Sequence, residues 1–201
     1  MQIFDITQEL FTCSVYPGDP SPSMERVLSI PNGDICNLTR FSMCAHNGTH
    51  VDAPFHFIDG GKTIDQVDLK KFIGPCFVAR HDGEVSAEDA AVFMERAKAI
   101  DGDSEDSCYM RILIAGDATV TEDAARVFAD NGVYLIGNES QTVGPVDAPA
   151  KVHYILLGAK VVLLEGIRLQ NIDEGKYFLC AQPLNLGGCD GAPVRAILMI
   201  R

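Results

Sequence analysis

The 201-residue chain has no tryptophan and only five histidines. It has no cluster of basic residues either: 16 Lys and Arg against 28 Asp and Glu leave a formal net charge of −12. Binding to a phosphate backbone or an anionic bilayer needs cations that displace counterions, so neither nucleic acid nor a membrane surface is an expected partner. No apolar run approaches the ~20 residues of a membrane span. The opening MQIFDITQEL lacks the basic and apolar regions of a secretory signal. The seven cysteines are scattered, odd in number and never spaced as CxxC. That pattern disfavours a disulfide framework and a cysteine zinc knuckle, and it favours reduced thiols in a cytoplasmic protein. Repeats, low-complexity tracts and Pro/Gly/Ser linkers are missing too, so residues 1–201 are expected to form one domain.

What is present alternates strand and helix. Residues 111–115 (RILIA) read as a short buried strand. Thr121 reads as an N-cap with Glu122 and Asp123 in the first turn, and the amphipathic AARVFADNG stops at Gly132. VYLIG (133–137) is the next strand, which makes a βαβ unit. Earlier, a strand at 76–79 precedes a helix capped by Ser86. The acidic DGDSEDS that follows fails as an EF-hand, because Asp106 and Ile112 stand where Gly and Glu are required, so it reads as a solvated loop. A short helix over 150–158 stopping at Gly158, a strand at 160–165 (KVVLLE) and a closing strand VRAILMI complete the chain. IFDIT, RVLSI and LTRFSM in the first 60 residues alternate as antiparallel strands do. The expected class is α/β, with a mixed sheet or two sheets and flanking helices.

Three of the five histidines crowd into HNGTHVDAPFHF, residues 46–57, around Asp52. His46, His50, Asp52 and His56 share parity, so an extended strand would point them all one way. Four strand residues span ~13 Å, too far for His46 and His50 to share an ion with ~2.0–2.1 Å bonds. The chain must therefore bend, and Gly48 lies midway. His50 and Asp52 can stay neighbours on one strand face, and Pro54 redirects the chain before His56. Two imidazoles and a carboxylate leave a coordination position open, the catalytic rather than the structural pattern. Asp52 has a second oxygen for a second ion, and His153 with Glu165, a charge closing an apolar strand, could complete that site. Spacing does not separate His56 from a third histidine ligand. His81, before Asp-Gly, reads as a surface residue. Mixed histidine and carboxylate ligands suit Zn²⁺, Mn²⁺ or Fe²⁺.

The motif HxGTHxDAPxHF resembles the signature of the cyclase-type metal-dependent hydrolases, which include bacterial kynurenine formamidase and isatin hydrolase. VYPGDP (15–20), GKTIDQVDLKKFIGP (61–75) and the stretch from 153 to 198 resemble the same family. The resemblance implies a swivelling β/β/α arrangement assembled as homodimers or homotetramers. It implies one metal on His46, His50 and Asp52, a second shared by Asp52 with His153 and Glu165, and His56 as acid/base. The implied chemistry is hydrolysis of a small amide by metal-activated water, with two ions per subunit, Zn²⁺ first and Mn²⁺ second. N-formylkynurenine is the leading substrate, and lactam opening as in isatin, or hydrolysis of another small cyclic amide, the alternative. Two departures bear on the substrate. Tyr16 stands where formamidases of this type carry a substrate-lining tryptophan, and in GNESQTVG (137–144) Glu139, Thr142 and Gly144 replace the family's Asp, Ser and Asp at loop positions expected to face the ligand.

Two rival classes are open to the same residues. Cys44, sharing strand parity with His46, could be a nucleophile, but a low thiol pKa needs a cationic neighbour, and a metal-bound imidazole is neutral. A non-catalytic metal-dependent ligand-binding protein could use the open positions without chemistry, but binding alone needs no proton shuttle at His56.

Overall fold

The computed structural model describes residues 1–105 and 107–200. Strand β1 (Gln2–Asp5) is followed by a solvent-exposed ribbon, β2 (Ser23–Leu28) paired antiparallel with β3 (Leu38–Ser42), and by the three-residue strand β4 (His50–Asp52). The middle of the chain runs through β5 (Ile73–Arg80), β6 (Gly83–Val85), α1 (Ala87–Asp101), β7 (Arg111–Ala115), β8 (Ala118–Val120), α2 (Glu122–Asp130) and β9 (Leu135–Asn138). Then come α3 (Ala150–Gly158), β10 (Val162–Glu165), β11 (Gly175–Cys180), β12 (Gly191–Pro193) and β13 (Ile197–Ile200).

The helices start where the sequence signals that they should. Ser86 and Asp89 form a reciprocal capping box at α1, an arrangement that stabilises a helix by about 1 kcal/mol. Thr121 accepts the Ala124 N–H at the start of α2. α3 ends at Gly158 as expected, but glycine is not its left-handed cap. The left-handed residue is Lys160, at φ 65°. Lys160 donates its N–H to the Leu157 carbonyl, and Val161 to that of Leu156. This is a Schellman closure, anchored by the buried Val161, and it overrides the usual preference for glycine.

Nine strands form one sheet in the order β1-β13-β11-β5-β7-β9-β10-β4-β12. β5, β7, β9 and β10 are mutually parallel in that order, and every other pairing in the sheet is antiparallel. The early strands are antiparallel, as their alternation suggests. β6 and β8 add a small parallel pair that the sequence does not signal.

Each central strand alternates between two cores. Phe77, Ile112, Ile114, Ile136 and Leu163 pack against the three helices, whereas Val78, Leu113, Leu135 and Leu164 face loops and 3₁₀ turns on the other side. The sheet curls so that its β1 edge reaches the segment after β10: Ile6, just after β1, accepts a hydrogen bond from Arg168 N. Of the acidic 101–107 loop, Asp101 pairs with Lys176 and Asp103 with Lys98, while Asp106 lies outside the described residues. Among the described residues no helix is long and apolar enough to cross a membrane.

Candidate metal centre and cavity

The bend required between His46 and His50 is present. Residues 45–49 turn, with Gly48 at φ +66°, and a Cβ there would come within 3.0 Å of the Cys13 Cβ. Asn47 closes the turn by accepting the Cys44 N–H at 2.8 Å. Cys44 and His46 therefore do not sit on a strand, and the shared parity proposed for a cysteine nucleophile does not exist, although Cys44 does line the cavity described below. Val51 packs into the loop-side core, so His50 and Asp52 of β4 point to the helix side. Pro54 then opens a 3₁₀ turn, Pro54–His56, that presents His56.

Strand register assembles the rest. β10 lies antiparallel to β4 with Glu165 directly opposite His50 and Leu163 opposite Asp52. Cross-strand partners share a face, so Glu165 joins His50 and Asp52 beneath α3, which supplies His153. All four side chains are buried, including the strand-end Glu165. His50 Nε2 stands 3.5 Å from Asp52 Oδ1 and 3.3 Å from Glu165 Oε2. His153 Nε2 stands 3.5 Å from Asp52 Oδ2 and 3.4 Å from Glu165 Oε1. His46 Nδ1 is closer, 2.8 Å from Asp52 Oδ1.

These contacts fit a divalent cation. The Nδ1 atoms of His50 and His153 face the carbonyls of Gly48 and Pro149 at 3.0 and 2.9 Å, so each must donate there. In a neutral imidazole the Nε2 lone pair then points at a carboxylate, an arrangement that a cation between them makes favourable. Four nitrogen–oxygen separations of 3.3–3.5 Å match the edge of a tetrahedron with 2.0–2.1 Å bonds, about 3.3–3.4 Å. Asp52 Oδ2 is buried without a hydrogen-bond partner. His50, Asp52 and Glu165 form one cluster of ligand-type atoms, and His46, Asp52 and His56 a second.

Electrostatics point the same way. Burial disfavours a charged His153, but the carboxylates of Asp52 and Glu165 outweigh it and raise its pKa to about 10. Burial likewise opposes charge on His46, and Asp190 with Asp52 outweighs it, again to about 10. Burial alone would raise Asp52, yet its histidine neighbours hold it well below the usual carboxylate range. Burial and the Asp52 charge push Glu165 up, and His153 and His50 bring it below its ordinary value. At pH 7 the metal-free site thus carries protons on His46 and His153 that a cation must expel. Loading with Zn²⁺ is expected to release roughly two protons, and affinity should rise with pH up to about 10. Calorimetric titration in buffers of different ionisation enthalpy measures this directly; an enthalpy independent of buffer would contradict it.

Beside these groups lies a cavity of about 570 Å³, whose wall includes His46, His50, His56, His153 and Glu165. The rings of His46 and His56 stack at 3.9 Å. Tyr16 lines the rim of its own chain's cavity and donates its hydroxyl to the Val146 carbonyl at 2.7 Å. His81 stays apart, on the Glu84 carbonyl.

A model of the putative cyclase family matches residues 4–145. The chain belongs to that family. It is 32% identical over 210 residues to a kynurenine formamidase of Salinibacter ruber (strain DSM 13855 / M31), covering 98% of this chain and 97% of the relative. A predicted metal-dependent hydrolase from Bacillus stearothermophilus superimposes with a TM-score of 0.78 at 28% identity, covering 98% and 97% of the two chains. Isatin hydrolase A from Labrenzia aggregata shares the fold, with a TM-score of 0.79 at 22% identity over 99% and 93% of the chains.

The family model stops before His153 and Glu165, yet the fold brings both to the motif of residues 46–57. Two further polar residues of this cyclase-family chain escape a reading of the sequence. Asp190 Oδ2 lies 2.9 Å from His46 Nε2 and 3.2 Å from His56 Nδ1. Gln141 lines the cavity and donates to the Gly48 carbonyl at 2.8 Å, the same oxygen that His50 uses. The signal for Asp190 was thin: a lone acid in a glycine-rich stretch, 134 positions from His56. Of the three loop substitutions expected to face the ligand, Thr142 lines the cavity. Glu139 turns away to accept the Gly116 N–H at 3.0 Å, and Gly144 packs against Val152.

Proposed function

We propose that this protein is a metal-dependent hydrolase of a small aryl amide, arylformamidase-like, converting N-formylkynurenine to kynurenine and formate. The observation that carries the reading is the buried, partnerless Asp52 oxygen among imidazole and carboxylate donors at the wall of a cavity that also holds His56. The kynurenine formamidase relatives, alike over nearly the full length, support the substrate. We assign His46, His50 and Asp52 to one ion, and Asp52, His153 and Glu165 to a second, with Zn²⁺ as the first choice and Mn²⁺ as the second.

Hydrolysis of an amide needs a nucleophile, a countercharge for the carbonyl oxygen and a proton for the departing nitrogen. A divalent ion in this site supplies Lewis acidity and lowers the pKa of water toward ~7. His56 supplies the proton transfers. Its Nδ1 faces Asp190, which leaves Nε2 to take a proton from water and pass it to the leaving nitrogen. The phenol of Tyr16, fastened through its hydroxyl, offers an aromatic face at the rim of the substrate cavity. We place the protein in the cytoplasm, as one domain over residues 1–201 working as a homodimer or homotetramer. The exposed Met24, Leu38 and Phe41 on the β2–β3 ribbon support self-association.

Metal-stripped protein should not hydrolyse N-formylkynurenine and should recover turnover with Zn²⁺ or Mn²⁺. Isatin, assayed alongside, tests the lactam alternative. Metal binding without turnover of either would leave the non-catalytic binder as the better reading.

A further inference from the structure

We infer that Asp190 is a positioning residue that sets the orientation of His46 and His56 together; the inference rests on the roles proposed above for those histidines. A single carboxylate oxygen, Oδ2, serves both rings, at 2.9 Å from His46 Nε2 and 3.2 Å from His56 Nδ1. Of the two rings, His46 is also fixed through Nδ1 at 2.8 Å from Asp52 Oδ1, whereas His56 otherwise makes ring contacts with Phe57 and His153. His46 and His56 stack at 3.9 Å and 26°, and stacked imidazoles can slide and flip unless something pins their edges.

The strand beneath makes Asp190 a rigid anchor. Its own carbonyl accepts the Ala53 N–H at 2.9 Å, and the next residue, Gly191, pairs with Asp52 in β12. Gly191 has to be glycine for this approach. A Cβ there would lie 2.7 Å from His46 Cε1 and 2.7 Å from the Val51 carbonyl. The backbone thus runs flush against the His46 ring and delivers the carboxylate to its far edge.

The consequence differs for the two histidines. For His46, the Asp190 bond on Nε2 leaves Nδ1 directed at Asp52, the face toward the proposed ions. A carboxylate behind a ligating imidazole raises its basicity and fixes its rotation. For His56, the same oxygen holds the proton on Nδ1, so Nε2 is the nitrogen left for substrate. An amide in place of Asp190 could satisfy one ring, but as a weaker acceptor that no longer dictates both tautomers.

The test compares Asp190→Asn with wild type, using three readouts in Zn²⁺-loaded protein. With N-formylkynurenine, kcat should fall about 10²-fold or more while KM stays within threefold, as expected for a mis-set proton shuttle. In competition with a chelator, Zn²⁺ should bind about 10–100-fold more weakly, the usual effect of losing the partner behind a ligand. Nitrogen-15 spectra should change His56 from a single Nδ1–H tautomer to a mixture, which a merely structural role for Asp190 would not do. Asp190→Glu, which keeps the charge, should recover part of each loss. If the asparagine variant fails to fold, Asp190→Ser is measured in its place. Wild-type kcat, Zn²⁺ affinity and tautomer in a folded variant would overturn the inference. If wild type itself leaves N-formylkynurenine untouched, the proposed substrate fails, and affinity and tautomer still decide the role of Asp190.

Discussion

Replacing Asp52 with asparagine should abolish detectable turnover and weaken Zn²⁺ binding by about 10³-fold or more, a larger loss than removal of any residue behind the ligands. Among the described residues, Asp52 is the only side chain that contacts His46, His50 and His153 together, at 2.8, 3.5 and 3.5 Å. An amide cannot offer two anionic oxygens, so the positions assigned to both ions lose a ligand at once. The effect on the metal-free fold should be milder. Breaking a buried ion pair of fixed charges costs about 3–5 kcal/mol. Here the stranded partners are imidazoles, which can discharge by losing protons. With Asp52 gone, His153 and His46 should titrate well below the value of about 10 that the carboxylates impose. Elemental analysis of dialysed protein and thermal melts with and without Zn²⁺ separate the two effects. A variant that retains both ions would remove Asp52 from its proposed place.

His56→Ala should lower kcat by about 10²–10⁴, the range supplied by a positioned acid/base, while Zn²⁺ content stays at the wild-type level. The same variant settles an ambiguity that spacing left open. His56 belongs to a cluster of ligand-type atoms with His46 and Asp52, so a metal-holding His56 predicts loss of an ion on substitution. In the structure its Nδ1 is directed at Asp190 and its ring lies against His46, which suits proton transfer better than ligation. Unchanged turnover would remove His56 from the proton transfers. Lost metal would make His56 a ligand.

The parallel run β5-β7-β9-β10 was readable because each strand is a short apolar segment and the helices between them are short and locally signalled. Ser86 and Thr121 announce α1 and α2 through local hydrogen bonds that depend on nearby residues alone. Where a boundary rests on longer-range packing, the reading slips. α3 ends at Gly158 as read, but its left-handed position falls on Lys160, held by the buried Val161, and β8 forms, without a signal of its own, because β6 lies alongside it.

The candidate site divides along the same line. His46, His50, Asp52 and His56 fall in one stretch whose bend and strand are set by Gly48 and Pro54, so the motif carries both the residue types and their local geometry. His153 and Glu165 could be named as candidates, but only the antiparallel register of β4 on β10, with α3 above it, makes them neighbours of Asp52. Asp190 and Gln141 carry only a thin local signature. Their roles come from a glycine strand at the sheet edge and a loop after β9, each seated by contacts remote in sequence. Local chemistry is written in adjacent residues because short-range sterics and hydrogen bonds fix it. The company those residues keep depends on strand order and register, which the whole core decides.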